Sequence, residues 1–233
     1  MSQAVQRLFV GVDGAATTTR RNGWVAVAID AEGFVEASYH EAFSRLVARY
    51  PAPSVLGVDI PIGLTRAPTR DADAAARAEL GRRGASVFPA PVRPALAAES
   101  YEEACRLSEE TCGRRMSRQV WGLFPRIREV DAYRGEARIH EVHPEVSFRF
   151  LGGAPPALSK KTWGGQGERR RLLAAAGIAV PDDLGEASAV AADDVLDAAA
   201  AAWTARRIAE GVEVVLPAKT RQRDGGRPIV IRA

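Results

Sequence analysis

Apolar positions recur along this chain in two patterns, one with period two and one with helical spacing. The stretch "RLFVGVDGA", Arg7 to Ala15, gathers Leu8, Phe9, Val10 and Val12 and closes on Asp-Gly. It reads as a buried strand, Arg7 to Asp13, entering a turn. "VLGVDI", Val55 to Ile60, repeats the pattern and again ends near an acid. "GWVAVAID" (Gly23 to Asp30) and "GFVEASYHE" (Gly33 to Glu41) read as two more strands joined by the turn "DAEG", so the first three strands predict an antiparallel meander. "EAFSRLVARY" carries Phe43, Leu46, Val47 and Tyr50 at helical spacing and stops at Pro51. Strand, helix, strand at this length predicts a crossover that sets the Val55 strand parallel to its neighbour.

Residues 65–135 change character. "RDADAAARAELGRRG", "SVFPAPVRPAL", "SYEEACRLSEE" and "RQVWGLFPRIREVD" are rich in Arg, Pro and polar helical segments. They read as a helical insertion within one domain. The strand pattern returns in "ARIHEVHPEVSFRFL", a short strand running into a helix after Pro144. Further helices are expected over Glu168–Ala176 and over the Ala-rich Ser188–Gly211, closed by Gly. The tail, "VEVVLP" and "RPIVIRA", reads as a final hairpin.

The totals narrow the class. A chain of 233 residues, 46% hydrophobic and 26% charged, can bury one sizeable core, and no run of apolar residues is long enough to span a bilayer. "MSQAVQRLFV" has neither the basic nor the apolar region of a secretory signal. Cys105 and Cys112, seven apart on one expected helix, lie too far apart to bridge. Together these features predict a cytoplasmic protein without a membrane partner. The net charge of +3 gives little global attraction for a polyanion. Of 32 basic residues, 29 are Arg, a bias that a GC-rich genome also produces. Arg114, Arg115, Arg118, Arg126 and Arg128 nevertheless follow one another with no acid between them, interleaved with Trp121 and Phe124. They suit either a phosphate backbone or a solvated helix face.

The chemistry candidates are acids. Asp13 and Asp59 each have a turn-forming reading. In "DDVLD", Asp193 or Asp194 can cap the helix and the helix dipole favours Asp197 in the first turn, but this explains Asp197 less well, since the run Ala198 to Ala202 that follows suggests a tightly packed helix. Asp194 and Asp197, three apart, share a helix face. Buried carboxylates repel unless protons or cations neutralise them, and two strand acids with a helical acid pair form an oxygen-rich set suited to Mg²⁺ or Mn²⁺. "HEVHPE" adds Glu141 on a strand, Glu145 at a helix start, and His143 as a general acid–base or an orienting donor. Lys160, Lys161 and Arg169 in "SKKTWGGQGERR" can offset phosphate charge.

This order of elements and acids resembles the ribonuclease H-like fold, with an acid on the first strand, another on the fourth and one or two on a late helix. The "D-x-x-D-A" of Asp194 to Ala198 is similar to the Holliday-junction resolvase branch of that superfamily. More closely, "GVDGA", "GWVAV", "VDIPIGL", "SVFPAPVR", "QVWGLFPRIREVD", "EVHPEVSF", "SKKTWGGQGERRRLL" and "DDVLDAAAAAWTA" resemble domain-of-unknown-function family 429, described as predicted RNase H-like nucleases. The resemblance covers roughly residues 8 to 210. It implies an α/β domain with an RNase H-like mixed sheet, a three-strand meander plus parallel strands, flanked by helices and carrying the helical insertion.

The function expected from these features is hydrolysis of phosphodiester bonds in nucleic acid, DNA or RNA, with two divalent ions about 4 Å apart and no organic cofactor. Asp13 is the expected bridging ligand; Asp59 and Asp197 each complete a shell, and Asp194 is accessory. Glu141, Glu145 and His143 join the catalytic set. Lys160, Lys161 and Arg169, with Arg114, Arg115 and Arg118 of the insertion, face the substrate. Two other readings stand beside it: a non-catalytic module binding nucleic acid or protein on the same fold, and an actin-like phosphotransferase. The second needs a two-lobed cleft larger than this chain, and neither G-x-x-x-x-G-K-[ST] nor G-x-G-x-x-G occurs.

Overall fold

A computed structural model describes residues 7–17 and 22–233. The first six residues of "MSQAVQRLFV", on which the absence of a signal is read, lie outside them. The chain divides into two compact units. One contains the described residues up to Asp59 together with 137–214 and 232–233, and the other 60–136 with 215–231.

The first unit is built on a five-stranded mixed sheet of order β3-β2-β1-β4-β5. Its strands are β1 (Phe9–Ala16), β2 (Asn22–Ile29), β3 (Phe34–His40), β4 (Val55–Val58) and β5 (Ile139–Glu141). β2 runs antiparallel to both β1 and β3, whereas β4 is parallel to β1 and to β5. The meander and the parallel fourth strand are therefore present. The first strand is longer than the sequence predicts. Asp13 pairs with Val25 inside the ladder, and Gly14, Ala15 and Ala16 continue opposite Trp24, Gly23 and Asn22. Asp-Gly makes no turn here because β2 supplies partners beyond it, a tertiary preference that overrides turn propensity.

Helices flank the sheet. Helix α1 (Phe43–Arg49) lies on one face, with Phe43 at 5.1 Å from the Trp24 ring. The opposite face carries the long C-terminal helix, Ala192–Glu210. That helix packs through small residues, since Ala198 to Ala202 are all fully buried. A methyl group added at Gly11 would lie 1.9 Å from the Ala198 carbonyl and 2.1 Å from the Ala202 nitrogen. At Gly57, its register partner, the Ala201 carbonyl is 2.8 Å away. Helix backbone thus rests directly on strand backbone at the centre of the sheet. Gly11→Ala is expected to lower the melting temperature by at least about 6 °C. Overpacking costs roughly 3 kcal/mol at a contact that cannot yield, and 1 kcal/mol moves a chain of this size by about 2–4 °C. Thermal unfolding followed by circular dichroism checks it.

The second unit contains α2 (Asp71–Leu80), α3 (Tyr101–Cys112), α4 (Arg118–Gly122) and α5 (Phe124–Asp131). It also has a two-residue hairpin, Arg223–Asp224 with Arg227–Pro228. It buries Leu80, Phe124, Ile127 and Val130. Arg70 and Asp73 pair at 2.7 Å within it, both nearly inaccessible. Cys105 and Cys112 lie on α3 as free thiols.

In the first unit, α6 (Pro144–Leu151) and α7 (Trp163–Ala175) precede the long helix α8 (Ala192–Glu210). α7 starts five residues before the expected Glu168. Thr162 Oγ1 accepts from the Gly165 N–H at 3.1 Å and caps it, carrying the Gly-Gly pair into the helix. The two tail segments pair as expected, Val215–Leu216 with Ile231–Arg232, and Val214 and Ala233 next to them exchange backbone hydrogen bonds at 2.7 and 2.9 Å. Among the described residues no helix is long and apolar enough to cross a membrane.

Candidate functional site

Side chains alternate across a sheet, so register decides which acids meet. Gly11 pairs with Gly57 beneath α8, and two residues further along each strand stand Asp13 and Asp59. The Asp59 N–H donates to the Val12 carbonyl at 2.8 Å, extending the ladder by one residue. Both acids therefore project on the α8 face, beyond the point where the helix backbone touches the sheet. Glu141 pairs with Val58 and projects on the opposite face. The register separates Glu141 from this pair.

α8 begins above the same row. Its N-cap is Ala191, with no side-chain cap, and Asp193 and Asp194 occupy its first turn. Neither acid is the side-chain cap that the sequence allows. Asp193 and Asp197 are 3% and 1% exposed. Asp193 and Asp197, four apart, lie on one helix face and meet two lysines that approach from the segment before α7. Lys160 Nζ donates to Asp197 Oδ2 and stands 3.7 Å from Asp193 Oδ2. Lys161 Nζ lies 2.6 Å from Asp193 Oδ2. That oxygen and Asp197 Oδ1 are buried without an aligned hydrogen bond.

The electrostatics record one cluster. Removal from water, followed by repulsion from Asp59, Asp197 and Asp194, holds the Asp13 carboxyl well above its ordinary value, against the opposing pull of Lys160. Removal from water raises Asp59 to about 7, with Asp194 and Glu145 adding to the rise and Lys160 opposing it. Asp197 is raised to about 7, also chiefly by burial and then by Asp59 and Glu145, again against Lys160. Burial works against the charged form of Lys160, but Asp197, Asp13 and Asp59 together lift its pKa above the usual lysine value. The ammonium is thus the positive charge that these acids share.

The remaining candidates divide. Glu145, in the first turn of α6, is 6% exposed and is held by Arg169. Arg169 was expected to face phosphate, but it is fully buried. Its guanidinium is taken up by Glu145 and by the carbonyls of Leu158 and Gly165, each at 3.1 Å, and lies over the Phe148 ring. It is a positioning residue that fixes Glu145 and the start of α7. His143 sits at the N-cap of α6, where its carbonyl accepts from the Val146 and Ser147 N–H groups at 2.9 Å. Arg114, Arg115 and Arg118 belong to the other unit and are exposed. Arg115 lies 3.5 Å from Glu109, and Arg118 lies over the Tyr101 ring at 4.3 Å. Arg128, in the same basic run, donates to the Leu96 and Ala98 carbonyls.

Hard carboxylate oxygens drawn from two strands and a helix are a donor set that suits a divalent cation. Buried Asp197 Oδ1, lacking a hydrogen bond, is the kind of atom such an ion would satisfy. Among the described residues no three His, Cys, Asp or Glu side chains are grouped closely enough to hold a metal ion. The fit is therefore one of donor chemistry, and it requires Lys160 to yield its contact with Asp197.

Sequence reasoning missed two features here. Asp193 is as buried as Asp197 and carries both lysines, although its place in the first turn made capping a sufficient explanation. Trp163, 91% exposed, escaped notice because the helix was expected to begin only at Glu168, which left it in the preceding segment.

No curated protein and no solved structure matches this chain. The model of a family described as "Protein of unknown function (DUF429)" matches residues 11–222. A match spanning nearly the whole chain, and containing every acid of the cluster, makes this protein a member of the DUF429 family.

Proposed function

We propose that this protein is a metal-dependent nuclease with an RNase H-like fold, hydrolysing phosphodiester bonds in nucleic acid. The fold assignment is supported by the sheet order β3-β2-β1-β4-β5, with an antiparallel meander followed by two parallel strands. The observation that carries the activity is the burial of Asp13 and Asp197 with Asp59 about the Lys160 ammonium, carboxylates drawn from β1, the end of β4 and the start of α8, with Asp194 adding its charge against Asp13.

Asp13, Asp59 and Asp197 would hold Mg²⁺ or Mn²⁺, with Asp194 accessory. When bound, the ions supply an activated water and charge relief on the leaving oxygen. The other parts follow from the chain. Lys160 neutralises the acids in the metal-free state and prevents their full repulsion. Lys161, 68% exposed on its side chain, is placed to meet a phosphate oxygen at the edge of the cluster. Glu145, fixed by Arg169, adds negative potential next to Asp59 and Asp197. The exposed Arg114, Arg115 and Arg118 offer sequence-independent phosphate contacts.

The test is incubation of the purified chain with labelled single-stranded, duplex and branched DNA and RNA, in Mn²⁺, in Mg²⁺ and in chelator. Cleavage of at least one substrate with either ion, and none with chelator, is expected. Absence of cleavage throughout, or cleavage indifferent to chelator, contradicts the proposal.

A further inference from the structure

Beside the acid cluster, a cleft of about 560 Å³ opens between α7, α8 and the segment that joins them. Val180, Leu184, Val190, Val195 and Leu196 contribute its apolar wall, and Trp163 stands at its edge. An indole 91% exposed is unusual, because burying so large an apolar surface is among the strongest stabilising contributions open to a chain. Within this unit the ring packs into no core, so its place calls for a partner.

The surroundings state the partner's chemistry. Trp163 follows Lys160 and Lys161 by three and two residues, and both lysines are on the acids of α8. Arg170 and Arg171 line the same cleft. Arg170 donates to the Val180 carbonyl at 3.0 Å and to Asp182 at 2.8 Å; Asp182, also on the cleft wall, is 96% exposed on its side chain, so the ion pair itself is weak. Leu196 lies on the cleft wall, and Lys161, two residues before Trp163, reaches Asp193 at the edge of the acid cluster. A flat apolar face, a greasy recess and a rim of cations beside a phosphodiester site together match an unpaired nucleotide. Its base would stack on the indole while its phosphates meet Lys161 and Arg171. An apolar partner would cover the indole but bring no anion to Arg171, which stands exposed on the cleft wall. We infer that the cleft is a nucleobase subsite, which selects single-stranded or frayed nucleic acid for the neighbouring acids. This inference rests on the nuclease reading for its purpose, not for its detection.

The experiment uses the Asp13→Asn chain, which is expected to bind without cutting, with and without Trp163→Ala. Fluorescence anisotropy compares three probes of equal length: a thymidine homopolymer, an abasic sugar-phosphate strand and a fully paired duplex. Trp163→Ala should weaken homopolymer binding by about tenfold, since one stacked base typically contributes that much or more, and leave the abasic strand unchanged. Trp163→Phe should recover part of the loss. An equal effect of Trp163→Ala on homopolymer and abasic strand, or no effect on either, overturns the subsite. So does self-association of the parent chain that Trp163→Ala abolishes, seen by sedimentation. The two readings can fail separately. Base-dependent binding in a chain that cuts nothing keeps the subsite and removes the nuclease. Cleavage with KM unchanged by Trp163→Ala keeps the nuclease and removes the subsite.

Discussion

Asp13→Asn is expected to abolish divalent-ion-dependent cleavage, by at least about 10²- to 10³-fold in kcat, while the fold persists. Loss of one preorganised electrostatic group commonly costs this much, and Asp13 holds the most central position in the cluster. It lies inside β1, between β2 and β4, on the face where α8 begins. The amide is nearly isosteric, so neither a cavity nor overpacking follows. The variant should also be at least as stable as the parent without metal at pH 8, since a carboxylate opposed by Asp59, Asp197 and Asp194 has been removed. Activity and thermal unfolding, measured on one preparation, check both halves. Parent-level cleavage in this variant, with contaminating nucleases excluded by an inactive control preparation, contradicts the assignment.

The second expected result concerns pH and metal together. The Asp59 and Asp197 carboxyls titrate near 7 in the folded chain, against an ordinary value of 3.8. Between those values the folded protein binds more protons than the unfolded one. The resulting stability is fully present below about pH 4 and is lost as pH rises to about 7. The metal-free chain should therefore melt progressively lower across that window, and a double Asp59→Asn, Asp197→Asn variant should show a flatter profile. Divalent ions act in the opposite direction. At pH 7.5 and a concentration about 100 times the dissociation constant, Mn²⁺ should raise the melting temperature by roughly 5–10 °C, and at pH 5 by far less, because protons then occupy the same oxygens. A parent profile no steeper than that of the double variant, or no response to Mn²⁺ at pH 7.5, would contradict the account of the cluster.

Particular residues show how far the sequence carries this picture. The β-branched runs around Val10 and Val58 announce strands, and the acids beside them announce the site, because period-two burial is a local property. The length of β1 is not local: Gly14, Ala15 and Ala16 are weak strand formers, and only pairing with Asn22–Trp24 extends it. Gly11 and Gly57 read as ordinary strand glycines until α8 is seen lying on them. Arg169 looks like any solvated helical arginine, since nothing near it in sequence betrays that Glu145, 24 residues earlier, is its partner. "HEVHPE" offered Glu141 and Glu145 without a choice between them. Register sends the first to the far face of the sheet, whereas Glu145 couples to Asp59 and Asp197. Residues 65–135 suggested an insertion because their apolar positions are sparse and interrupted by proline. Their compactness comes from contacts such as Arg93 with Asp131 and Asp224, the latter 131 residues away in the chain.

The central claim is that four acids and one lysine form a cation site in which the ammonium holds the place of divalent ions. A crystal grown with Mn²⁺ at neutral pH, measured at the manganese absorption edge, tests this most directly. The account predicts anomalous peaks, two of them about 4 Å apart, bounded by Asp13, Asp59, Asp194 and Asp197, with Lys160 withdrawn from Asp197. Saturating Mn²⁺ that leaves no peak among these carboxylates, with Lys160 still bonded to Asp197, would contradict it.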